Sequence, residues 1–553
     1  MDENFTPETA PKIRHARSLP GRDLTDRLVP WANVGALLAE RARATPDKNY
    51  LTFYEEDGTP VPQASLTYAV LYENARRVAA LLMNTLGLAP GDRIATLTGN
   101  DPRTVLLYFG AWCAGVTVVP INVGEDDERI AFVLENARVK AAFAPSAQAK
   151  RASGCCPVVN VDETDLLAAE PRGALPDLPV DTEALIVYTS GTTGAPKGVV
   201  LEQYNLLVDA HGIAAWHGFG PDDRAMLVLP IHHVNGTVVT LVTPLYSGGS
   251  VVLNRKFSAR HYWQTLAREG CTWSSVVPTV LAILCEQGAG ATEGLDLSRF
   301  RHFVCGAGPL TTDLAARFEE TFQRRVVHGY GLSETTCYSC FLPTDLDADA
   351  YRHWMVECGF PSIGIPIPEN EMAIHDEQGN ALPPDAKGEI VIRGHTVMRA
   401  YYRRPDANET TFAHGWFRSG DEGFYRVGPD GRPYFFITGR LKELIIRGGV
   451  NYSPFEIDEV LNQMPGVRAA MAVGFEHNFY GEEIGAYVQR EPGSAVTEEG
   501  VLAFCAERLP FAKCPKVVLF GEEFPVTSTG KYQRGRLRER FAAWKDADFR
   551  RAK

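Results

Sequence analysis

Short, continuous apolar runs alternate with helical patterns between about residue 35 and residue 361. The runs are bounded by Gly or Pro, as expected for strands of a parallel sheet that helices cover on both faces. The pattern therefore predicts a large α/β unit with mostly parallel sheets. The runs are RIATLTGN (93–100), VTVVPIN (116–122), AAFAP (141–145), ALIVYTSG (184–191), AMLVLP (225–230), VVLN (251–254), WSSVVP (273–278) and RHFVCGAG (301–308).

Beyond residue 361 the strand-like segments become shorter and more polar. Segments 371–376, 388–393 and 433–438, with turn residues between them, predict antiparallel hairpins in a small β unit. After Arg440 the pattern resets and predicts a compact α+β unit of roughly 110 residues. We therefore predict two domains, residues 1–440 and 441–553. The elements predicted for the second are a helix at 454–462, strands at 469–474 and 483–490, a helix at 497–509 and a strand at 516–520.

The longest uncharged apolar run extends from Val105 to Val119 and is shorter than the ~20 residues of a membrane span. Gly115 divides the run and Pro120 ends it, which predicts a buried helix up to Ala114 and then a buried strand. The N-terminal segment MDENFTPETAPKIRHARSLPGRD has no apolar core, so no secretory signal is predicted. We therefore expect a cytoplasmic protein without a transmembrane segment.

The net charge of −13 argues against nucleic acid as the main partner, because no surplus of basic side chains is available for its phosphates. The segment from Lys531 to Lys553 is locally basic, and we interpret it as a solvated helix face. A chain of 553 residues exceeds one ordinary domain, in agreement with the division above.

The 11 Cys are an odd number in a long chain, which favours reduced thiols over a disulfide framework. Cys337 and Cys340 form a C-x-x-C pair followed by His353 and Cys358, a set that could bind zinc. The last gap is irregular and no second C-x-x-C follows, so free buried cysteines are the favoured interpretation.

The segment YTSGTTGAPKG, from Tyr188 to Gly198, joins hydroxyls, glycines and one lysine directly after a predicted strand. Glycines and free backbone N–H groups can surround an anion, while hydroxyls and a lysine add donors and charge. A Walker A loop would end in Gly-Lys-Ser/Thr, whereas Lys197 lies between Pro196 and Gly198. The segment therefore predicts a mobile clamp over the phosphates of a nucleotide.

This segment resembles the signature loop of the adenylate-forming superfamily: acyl-CoA synthetases, aryl-CoA ligases, beetle luciferases and peptide-synthetase adenylation domains. Six further segments resemble the other motifs of the family in order, so the resemblance extends from about residue 35 to the C-terminus. It implies a large N-terminal adenylation domain and a small, mobile C-terminal domain. The six segments are LPIHHVNG (229–236), GAGPL (306–310), YGLSE (330–334), FRSGD (417–421), GRLKELIIRGGVNYSPFEIDEVL (439–461) and PVTSTGKYQR (525–534).

The reaction implied by the resemblance joins a carboxylic acid to ATP, releases pyrophosphate and passes the acyl group from the acyl-adenylate to a thiol. It implies ATP, Mg²⁺ and CoA, or a phosphopantetheine thiol in place of CoA. An acyl-CoA or aryl-CoA synthetase is the leading hypothesis. Three alternatives stay open: a stand-alone acyl-AMP ligase that serves an acyl carrier protein or another nucleophile, a luciferase-like oxygenase, and a non-enzymatic ATP sensor. The oligomeric state is also open, with a homodimer as one possibility.

The resemblance implies the nucleotide-binding residues. Glu334 would bind Mg²⁺, Ser333 would donate to the α-phosphate, and Asp421 would accept hydrogen bonds from the ribose hydroxyls. The residues assigned to the β- and γ-phosphates are Thr189, Ser190, Gly191, Thr192, Thr193 and Lys197. The residues assigned to adenine, ribose or phosphate contacts are Gly306, Ala307, Gly308, Tyr330, Gly331 and Arg440.

Catalysis would depend on Lys531, which the resemblance places against the acid and the α-phosphate, where it would neutralise developing negative charge. Lys442 matches the hinge residue about which the small domain rotates after adenylation. The loop of Arg447, Gly448 and Gly449 would then line the channel for the pantetheine arm of CoA, since glycines leave a narrow channel open.

The segment LPIHHVNG (229–236) resembles the part of the family that lines the acyl pocket. His233 would lie near the acyl carboxylate and the entrance for the thiol, and His232 precedes it. The segment 229–236 contains no Asp, which disfavours an amino-acid substrate. A short aliphatic, an aryl and a functionalised acid all stay open. The residues assigned to the pocket are His232, His233, Asn235, Gly236, Cys305, His328, Cys337 and Tyr338.

Overall fold

The computed structural model of the chain describes residues 3–23, 25–55, 59, 61–189, 196–526 and 532–549. The strands are β1 (Asn49–Tyr54), β2 (Ala64–Thr67), β3 (Arg93–Thr96), β4 (Thr117–Pro120), β5 (Ala141–Ala144), β6 (Val158–Asn160), β7 (Glu183–Thr189), β8 (Lys197–Glu202), β9 (Arg224–Leu227), β10 (Ser250–Asn254), β11 (Trp273–Val276), β12 (His302–Cys305), β13 (Arg325–Tyr330), β14 (Cys340–Phe341), β15 (Ile365–Pro366), β16 (Asn370–His375), β17 (Gly388–Gly394), β18 (Ala400–Tyr401), β19 (Phe417–Val427), β20 (Pro433–Arg440), β21 (Ile445–Arg447), β22 (Val450–Tyr452), β23 (Val467–His477), β24 (Gly481–Arg490) and β25 (Val517–Phe520).

The α-helices are α1 (Ala10–Ala16), α2 (Val34–Ala44), α3 (Tyr68–Ala80), α4 (Pro102–Ala114), α5 (Asp127–Asn136), α6 (Ser146–Ala152), α7 (Gln203–His217), α8 (Thr243–Ser247), α9 (Tyr262–Arg268), α10 (Pro278–Cys285), α11 (Thr312–Phe322), α12 (Ala348–Arg352), α13 (Pro405–Thr411), α14 (Pro454–Asn462) and α15 (Glu498–Arg508). Segments of π-helix are Leu81–Thr85, Asn235–Val242 and His353–Glu357. Segments of 3₁₀-helix are Ala259–His261, Ala289–Thr292, Ser333–Thr335, Ala413–Gly415, Leu441–Glu443 and Arg534–Trp544.

Two large sheets form the scaffold of the longer domain. One has the strand order β18-β8-β7-β4-β3-β5-β6 and the other the order β15-β14-β13-β12-β11-β9-β10-β1-β2. The strands from β7 to β6 in the first and from β13 to β1 in the second are parallel. Antiparallel pairs lie at the margins, and each of the eight predicted runs overlaps one strand. The predicted α/β unit with mostly parallel sheets is confirmed.

Helix α4 shows how local sequence sets an element of this core. Asp101 accepts a hydrogen bond from the Arg103 N–H, and Pro102 occupies the first turn, where no helical partner needs its missing N–H. Gly115 ends the helix with a φ of 70°, a left-handed conformation that glycine adopts readily. Burial of every residue from Thr104 to Ala114 explains the uninterrupted apolar run. Within the described ranges, no helix combines the length and the apolar character needed to cross a membrane.

A four-stranded antiparallel sheet follows, with the order β16-β17-β19-β20. It confirms the predicted hairpins, because β16, β17 and β20 lie at the three predicted segments. The sequence pattern does not predict β19, since FRSGDEGFYRV lacks regular alternation of apolar and polar positions. This strand carries Asp421 and pairs it with Arg440 on β20.

Residues beyond 440 form a sheet of their own, with the order β22-β21-β24-β23 and with β25 paired to β24. Helices α14 and α15 contribute Ile457, Leu461 and Val501 to a core separate from that of the longer domain. Each element predicted for this part of the chain is present.

The basic C-terminal segment differs from the predicted solvated helix face. Arg534 is only 7% exposed, and Leu537 and Phe541 in the same 3₁₀ segment are also buried. The guanidinium donates to both carboxylate oxygens of Asp458, with 2.6 Å from Nη2 to Oδ2 and 3.2 Å from Nη1 to Oδ1. The interpretation was wrong for Arg534, because a run of basic residues does not reveal a buried carboxylate on α14.

We expect Asp458→Ala to lower the free energy of opening of the small domain by about 3–5 kcal/mol, because breaking a buried ion pair leaves an uncompensated charge. Hydrogen exchange of the α14 and β23 amides in the full-length chain measures this loss as faster exchange. Arg538→Ala breaks a largely exposed pair with Glu482 and is the matched control, with an expected cost of about 0–1 kcal/mol. Equal acceleration in both variants would contradict the prediction.

Candidate active site

The two ends of the predicted phosphate clamp meet at one place on the seven-stranded sheet. Strand β7 ends at Thr189, β8 begins at Lys197, and these two residues are partners in the antiparallel register. The Thr189 hydroxyl lies 3.4 Å from the Lys197 carbonyl oxygen. The remaining residues assigned to the phosphates, Ser190, Gly191, Thr192 and Thr193, lie outside the described residues.

Lys197 and Glu334 both contact Tyr401. The Lys197 Nζ lies 4.1 Å from the centroid of the Tyr401 ring, and the Tyr401 hydroxyl donates to Glu334 Oε1 at 2.7 Å. Burial lowers the pKa of Lys197, while the negative charge of Glu334 acts in the opposite direction. Two residues assigned from the sequence to the phosphates and to Mg²⁺ are thus brought together by a third, which the sequence analysis missed. The segment AYY (400–402) contains no signal that could have found it.

A tight turn after β13 presents Glu334. Gly331 is required in this turn, since a Cβ there would lie 1.9 Å from the carbonyl oxygen of Cys337. Ser333 is partly exposed, whereas Glu334 is 8% exposed and its carbonyl oxygen accepts a hydrogen bond from the Met398 N–H at 2.8 Å. A carboxylate held in this way suits a hard cation that also binds phosphate oxygens of a substrate.

The cysteines considered for zinc belong to separate surroundings. Cys337 and Cys340 are buried, whereas Cys358 Sγ lies 3.6 Å from His353 Nε2 in an exposed contact. Across the part of the chain that the structure describes, no group of three or more His, Cys, Asp or Glu is arranged to hold a metal ion. A cation held by one carboxylate and by substrate phosphates would not form such a group.

Asp421 lies at the centre of a buried polar cluster on the β19–β20 hairpin and is only 1% exposed. Its Oδ2 accepts a hydrogen bond from the Tyr330 hydroxyl at 2.6 Å, and its Oδ1 lies 3.2 Å from Arg440 Nε. Burial raises the pKa of Tyr330, and the negative charge of Asp421 raises it further. The phenol therefore stays a neutral hydrogen-bond donor. The same carboxylate raises the pKa of Arg440. The structure thus brings together three residues that the sequence assigned to one nucleotide.

The segment from Gly306 to Gly308 forms a tight turn at the end of β12. A Cβ at Gly306 would lie 2.8 Å from the carbonyl oxygen of Gly329 and 2.7 Å from the Tyr338 hydroxyl, so only glycine fits. Ala307 adopts a φ of 66°, a left-handed conformation that costs free energy for a residue with a side chain. The backbone of this turn therefore lies directly against β13, which ends at Tyr330.

His232 and His233 precede the π-helical segment Asn235–Val242, and their ring centroids are 4.6 Å apart. Burial lowers the pKa of His232 to about 4, so this ring is neutral at neutral pH. Gly236 cannot carry a side chain, because a Cβ would lie 2.3 Å from the carbonyl oxygen of Pro230. A π-helical segment and then α8 follow the histidines directly.

Three buried polar side chains are linked in the predicted acyl pocket. The Ser275 hydroxyl donates to Asn235 Oδ1 at 2.7 Å, and Asn235 Nδ2 donates to the Tyr338 hydroxyl at 3.4 Å. Tyr338 is 2% exposed, and its hydroxyl lies under Gly306. Ser275 was missed by the sequence analysis, since a serine inside a buried strand has no motif around it.

Cys305 and His328 are register partners on the parallel strands β12 and β13. His328 is 3% exposed, and its Nδ1 lies 2.9 Å from the carbonyl oxygen of Ser362. Burial lowers its pKa to about 4, so the ring is a neutral core histidine with a backbone partner. Cys337, which precedes Tyr338 in the chain, is also buried. The assignment of Cys305, His328 and Cys337 to the acyl pocket stays a prediction.

The predicted hinge residue Lys442 is exposed, in a 3₁₀ turn that directly follows β20. Lys531 lies outside the described residues. Val526 and Tyr532, on either side of it along the chain, form an antiparallel bridge.

The predicted CoA-channel residues form the turn between β21 and β22. Arg447 is buried, with its Nε 2.6 Å from Glu483 Oε1 and its guanidinium 4.0 Å from the centroid of the Tyr480 ring. Gly448 and Gly449 are exposed and have φ values of 60° and 80°. The Arg447 side chain thus supports the interior of the small domain, and the glycines alone present an open surface.

The two domains contact each other where α14 meets the start of α11. Glu459 Oε2 accepts hydrogen bonds from the Thr312 hydroxyl at 2.8 Å and from the Thr312 N–H at 3.2 Å. Burial raises the pKa of Glu459 to about 8, and the nearby carboxylates of Asp458 and Asp313 act in the same direction.

We expect the contact between the domains to weaken as the pH rises through about 8. The docked state favours protonated Glu459, because the pKa of Glu459 in this contact lies above its ordinary value of 4.5. The contribution of this proton to docking is therefore complete below pH 4.5 and is lost as the pH rises through about 8. Small-angle X-ray scattering between pH 6 and pH 9 should show the radius of gyration rising for the wild type. Glu459→Gln is the matched control, since a neutral amide still accepts from Thr312, and a similar rise in this variant would contradict the prediction.

Comparisons with known proteins cover both parts of the chain. Residues 38–402 match the family model of the AMP-binding enzymes, and residues 456–531 match the model of the AMP-binding enzyme C-terminal domain.

Two curated relatives and one solved structure extend the similarity over nearly the whole chain. A sulfoacetate–CoA ligase from Cupriavidus necator is 35% identical over 525 residues, which are 91% of this chain and 97% of the relative. An oxalate–CoA ligase from Arabidopsis thaliana is 31% identical over 92% of this chain and 98% of the relative. The crystal structure of ATP-bound MatB from Rhodopseudomonas palustris matches with a TM-score of 0.82 at 28% identity, covering 92% of this chain and 99% of that chain.

Proposed function

Because the chain belongs to the AMP-binding enzyme family, we propose the class of acid on which it acts: a short carboxylic acid with a second polar or anionic group. The chain is an AMP-forming acid–thiol ligase, which activates a carboxylic acid with ATP and transfers the acyl group from the acyl-adenylate to CoA. The family alone leaves the acid open, so the proposal depends on the side chains around the predicted acyl pocket.

The hydrogen-bonded chain of Ser275, Asn235 and Tyr338 is the observation that carries the proposal. A long apolar acid would gain from apolar walls, whereas buried amide and hydroxyl groups are costly unless they are hydrogen-bonded. Tyr338 also fills the space beneath Gly306, where its hydroxyl would come within 2.7 Å of an added Cβ. A pocket shortened by this ring suits an acid of two or three carbons whose far end can accept or donate hydrogen bonds.

The sulfoacetate and oxalate ligases agree with this class of acid. The two curated relatives named above are, by name, ligases of sulfoacetate and of oxalate, and both substrates are small acids with two anionic groups. Similarity to these two ligases supports a related substrate for this chain.

The first half-reaction would need charge neutralisation rather than a strong base. A carboxylic acid is already ionised at neutral pH, so its oxygen can attack the α-phosphorus of ATP directly, and pyrophosphate leaves. Asp421 would hold the ribose, Lys197 would bind the phosphates, and Lys531 would lie between the acid and the α-phosphate. Glu334 would bind Mg²⁺, which supplies positive charge to the phosphate oxygens when bound.

The second half-reaction would bring the thiol of CoA to the acyl carbonyl carbon, with AMP as the leaving group. His233 would shape the entrance, and Gly448 and Gly449 would form the wall of the thiol channel after the small domain rotates. Lys442 would be the hinge. We propose the domain boundary after Arg440, because no strand among the described residues belongs to a sheet on both sides of it. Transfer to a carrier protein, a homodimeric state and a cytoplasmic location also remain proposals.

A panel of acids tests the proposed substrate class. CoA-dependent AMP release should be fastest with sulfoacetate, oxalate or malonate, and slower with acetate, ferulate or palmitate. Asn235→Leu should lower kcat/KM for the polar acids by about 10- to 100-fold relative to acetate, because it removes a hydrogen-bonding group from the pocket. Thr240→Val, on the same π-helical segment, removes a hydroxyl that donates only to the Gly236 carbonyl and is the matched control. Preference of the wild type for palmitate or ferulate would overturn the proposal.

A further inference from the structure

We propose that Tyr401 is a positioning residue that contacts both Lys197 and Glu334 and orients them toward Mg²⁺ and the phosphates of ATP. The proposal rests on the proposed function of Glu334 as the Mg²⁺ ligand. It adds a residue that no sequence motif identified, and it explains how a half-buried lysine and a buried glutamate of opposite charge lie beside one tyrosine.

The contacts of Tyr401 with the two charges differ in kind. The Lys197 ammonium lies over the face of the ring, 4.1 Å from the centroid, where the negative quadrupole of an aromatic ring attracts a cation. The Glu334 carboxylate accepts the hydroxyl hydrogen at the edge of the same ring, 2.7 Å away. Because each charge already has a partner on Tyr401, neither needs the other, and both can be offered to a substrate.

The hydroxyl also sets the direction of the carboxylate. A glutamate side chain has several rotatable bonds, and a hydrogen bond to one carboxylate oxygen restricts the positions of the other. The backbone of Glu334 is held separately, through its carbonyl oxygen and the Met398 N–H. With both ends fixed, the second carboxylate oxygen can be presented to a cation in one orientation.

The surroundings determine where Tyr401 lies. Asn408 is fully buried; it accepts a hydrogen bond from the Tyr401 N–H at 2.8 Å and donates to the Tyr401 carbonyl oxygen at 2.9 Å. Asn408 also donates to the carbonyl oxygen of Asn4 at 2.7 Å, which ties an N-terminal arm to this strand. The backbone N–H of the next residue, Tyr402, donates a hydrogen bond to the carbonyl oxygen of Gly198 on β8 at 2.7 Å. The backbone position of residue 401 is thus independent of its own side chain, so the hydroxyl can be removed without displacing the strand.

Nucleotide binding by the full-length protein without any acid tests the proposal free of turnover. A fluorescent ATP analogue is titrated with and without Mg²⁺, and the Mg²⁺ concentration that half-saturates the Mg²⁺-dependent binding is measured. Tyr401→Phe should raise this concentration about tenfold, because a hydrogen bond to a charged group is lost while the aromatic ring remains. Affinity without Mg²⁺ and the thermal midpoint should stay at the wild-type values. Tyr402→Phe, at the next residue along the chain, is the matched control and should leave all three quantities unchanged.

A double variant separates positioning from general damage. If Tyr401 acts through Glu334, then Tyr401→Phe combined with Glu334→Gln should require no more Mg²⁺ than Glu334→Gln alone. An unchanged Mg²⁺ requirement in Tyr401→Phe, or equal losses with and without Mg²⁺, would overturn the role of Tyr401. If the wild type and Glu334→Gln need the same Mg²⁺ concentration, the proposed function of Glu334 fails first, and the two failures are therefore distinguishable.

Discussion

Replacing Lys531 with alanine is expected to slow acyl-adenylate formation by roughly 100- to 1000-fold, the usual effect of removing a group that stabilises transition-state charge. Lys531 lies in PVTSTGKYQR, the segment that resembles the terminal lysine motif of the family. As the acid oxygen attacks the α-phosphorus, negative charge accumulates on both partners, and one ammonium group placed between them lowers the barrier. Pyrophosphate release in a single turnover with ATP and the preferred acid measures this step.

Transfer to CoA should be nearly unaffected in the same variant, because Lys531 would be withdrawn when the small domain rotates. Thioester formation from a supplied acyl-adenylate and CoA tests this second half-reaction alone. Lys545→Ala is the matched control in the same domain, since Lys545 is half exposed and pairs with Glu476 at 2.6 Å. Equal losses in both half-reactions, or equal losses in the two lysine variants, would rule out the proposed role of Lys531.

Asp421→Asn is expected to weaken ATP binding by roughly 10- to 100-fold, because it removes the charge of a buried carboxylate that would accept hydrogen bonds from the ribose hydroxyls. The carboxylate accepts the Tyr330 hydroxyl at 2.6 Å and lies 3.2 Å from Arg440, so its loss leaves Arg440 without its charge partner. The ribose would be bound equally before and during the reaction, so KM for ATP should rise far more than kcat falls. Steady-state kinetics and calorimetric titration of ATP measure the two effects.

The next residue on β19 supplies the control for this prediction. Glu422→Gln removes a charge one position along the strand, where the side chain points to the opposite face and accepts the Thr438 hydroxyl at 2.6 Å. ATP affinity in this variant should match that of the wild type. If Asp421→Asn also binds ATP normally, the ribose lies elsewhere and the nucleotide assignment of the β19–β20 hairpin is wrong.

Much of the fold could be predicted because the relevant contacts are local. The eight apolar runs and the end of α4 at Gly115 depend on residues a few positions apart, and the structure confirms both. The ordered motifs around Lys197, Tyr330 and Asp421 predict a nucleotide site, and the roles assigned to these residues stay predictions. The contacts between these segments could not be predicted from the sequence.

The sequence by itself determined the α/β class, the separate C-terminal unit, and the residue types available for an adenylation site. Only the tertiary structure decided that Tyr330 meets Asp421 across 91 residues, that Tyr401 meets Glu334 across 67, and that Arg534 is buried against Asp458 across 76. Periodicity, caps and turns depend on neighbouring residues, so they are visible along the chain. Contacts between distant residues depend on strand register and on packing between sheets and domains, which no local pattern in one sequence records.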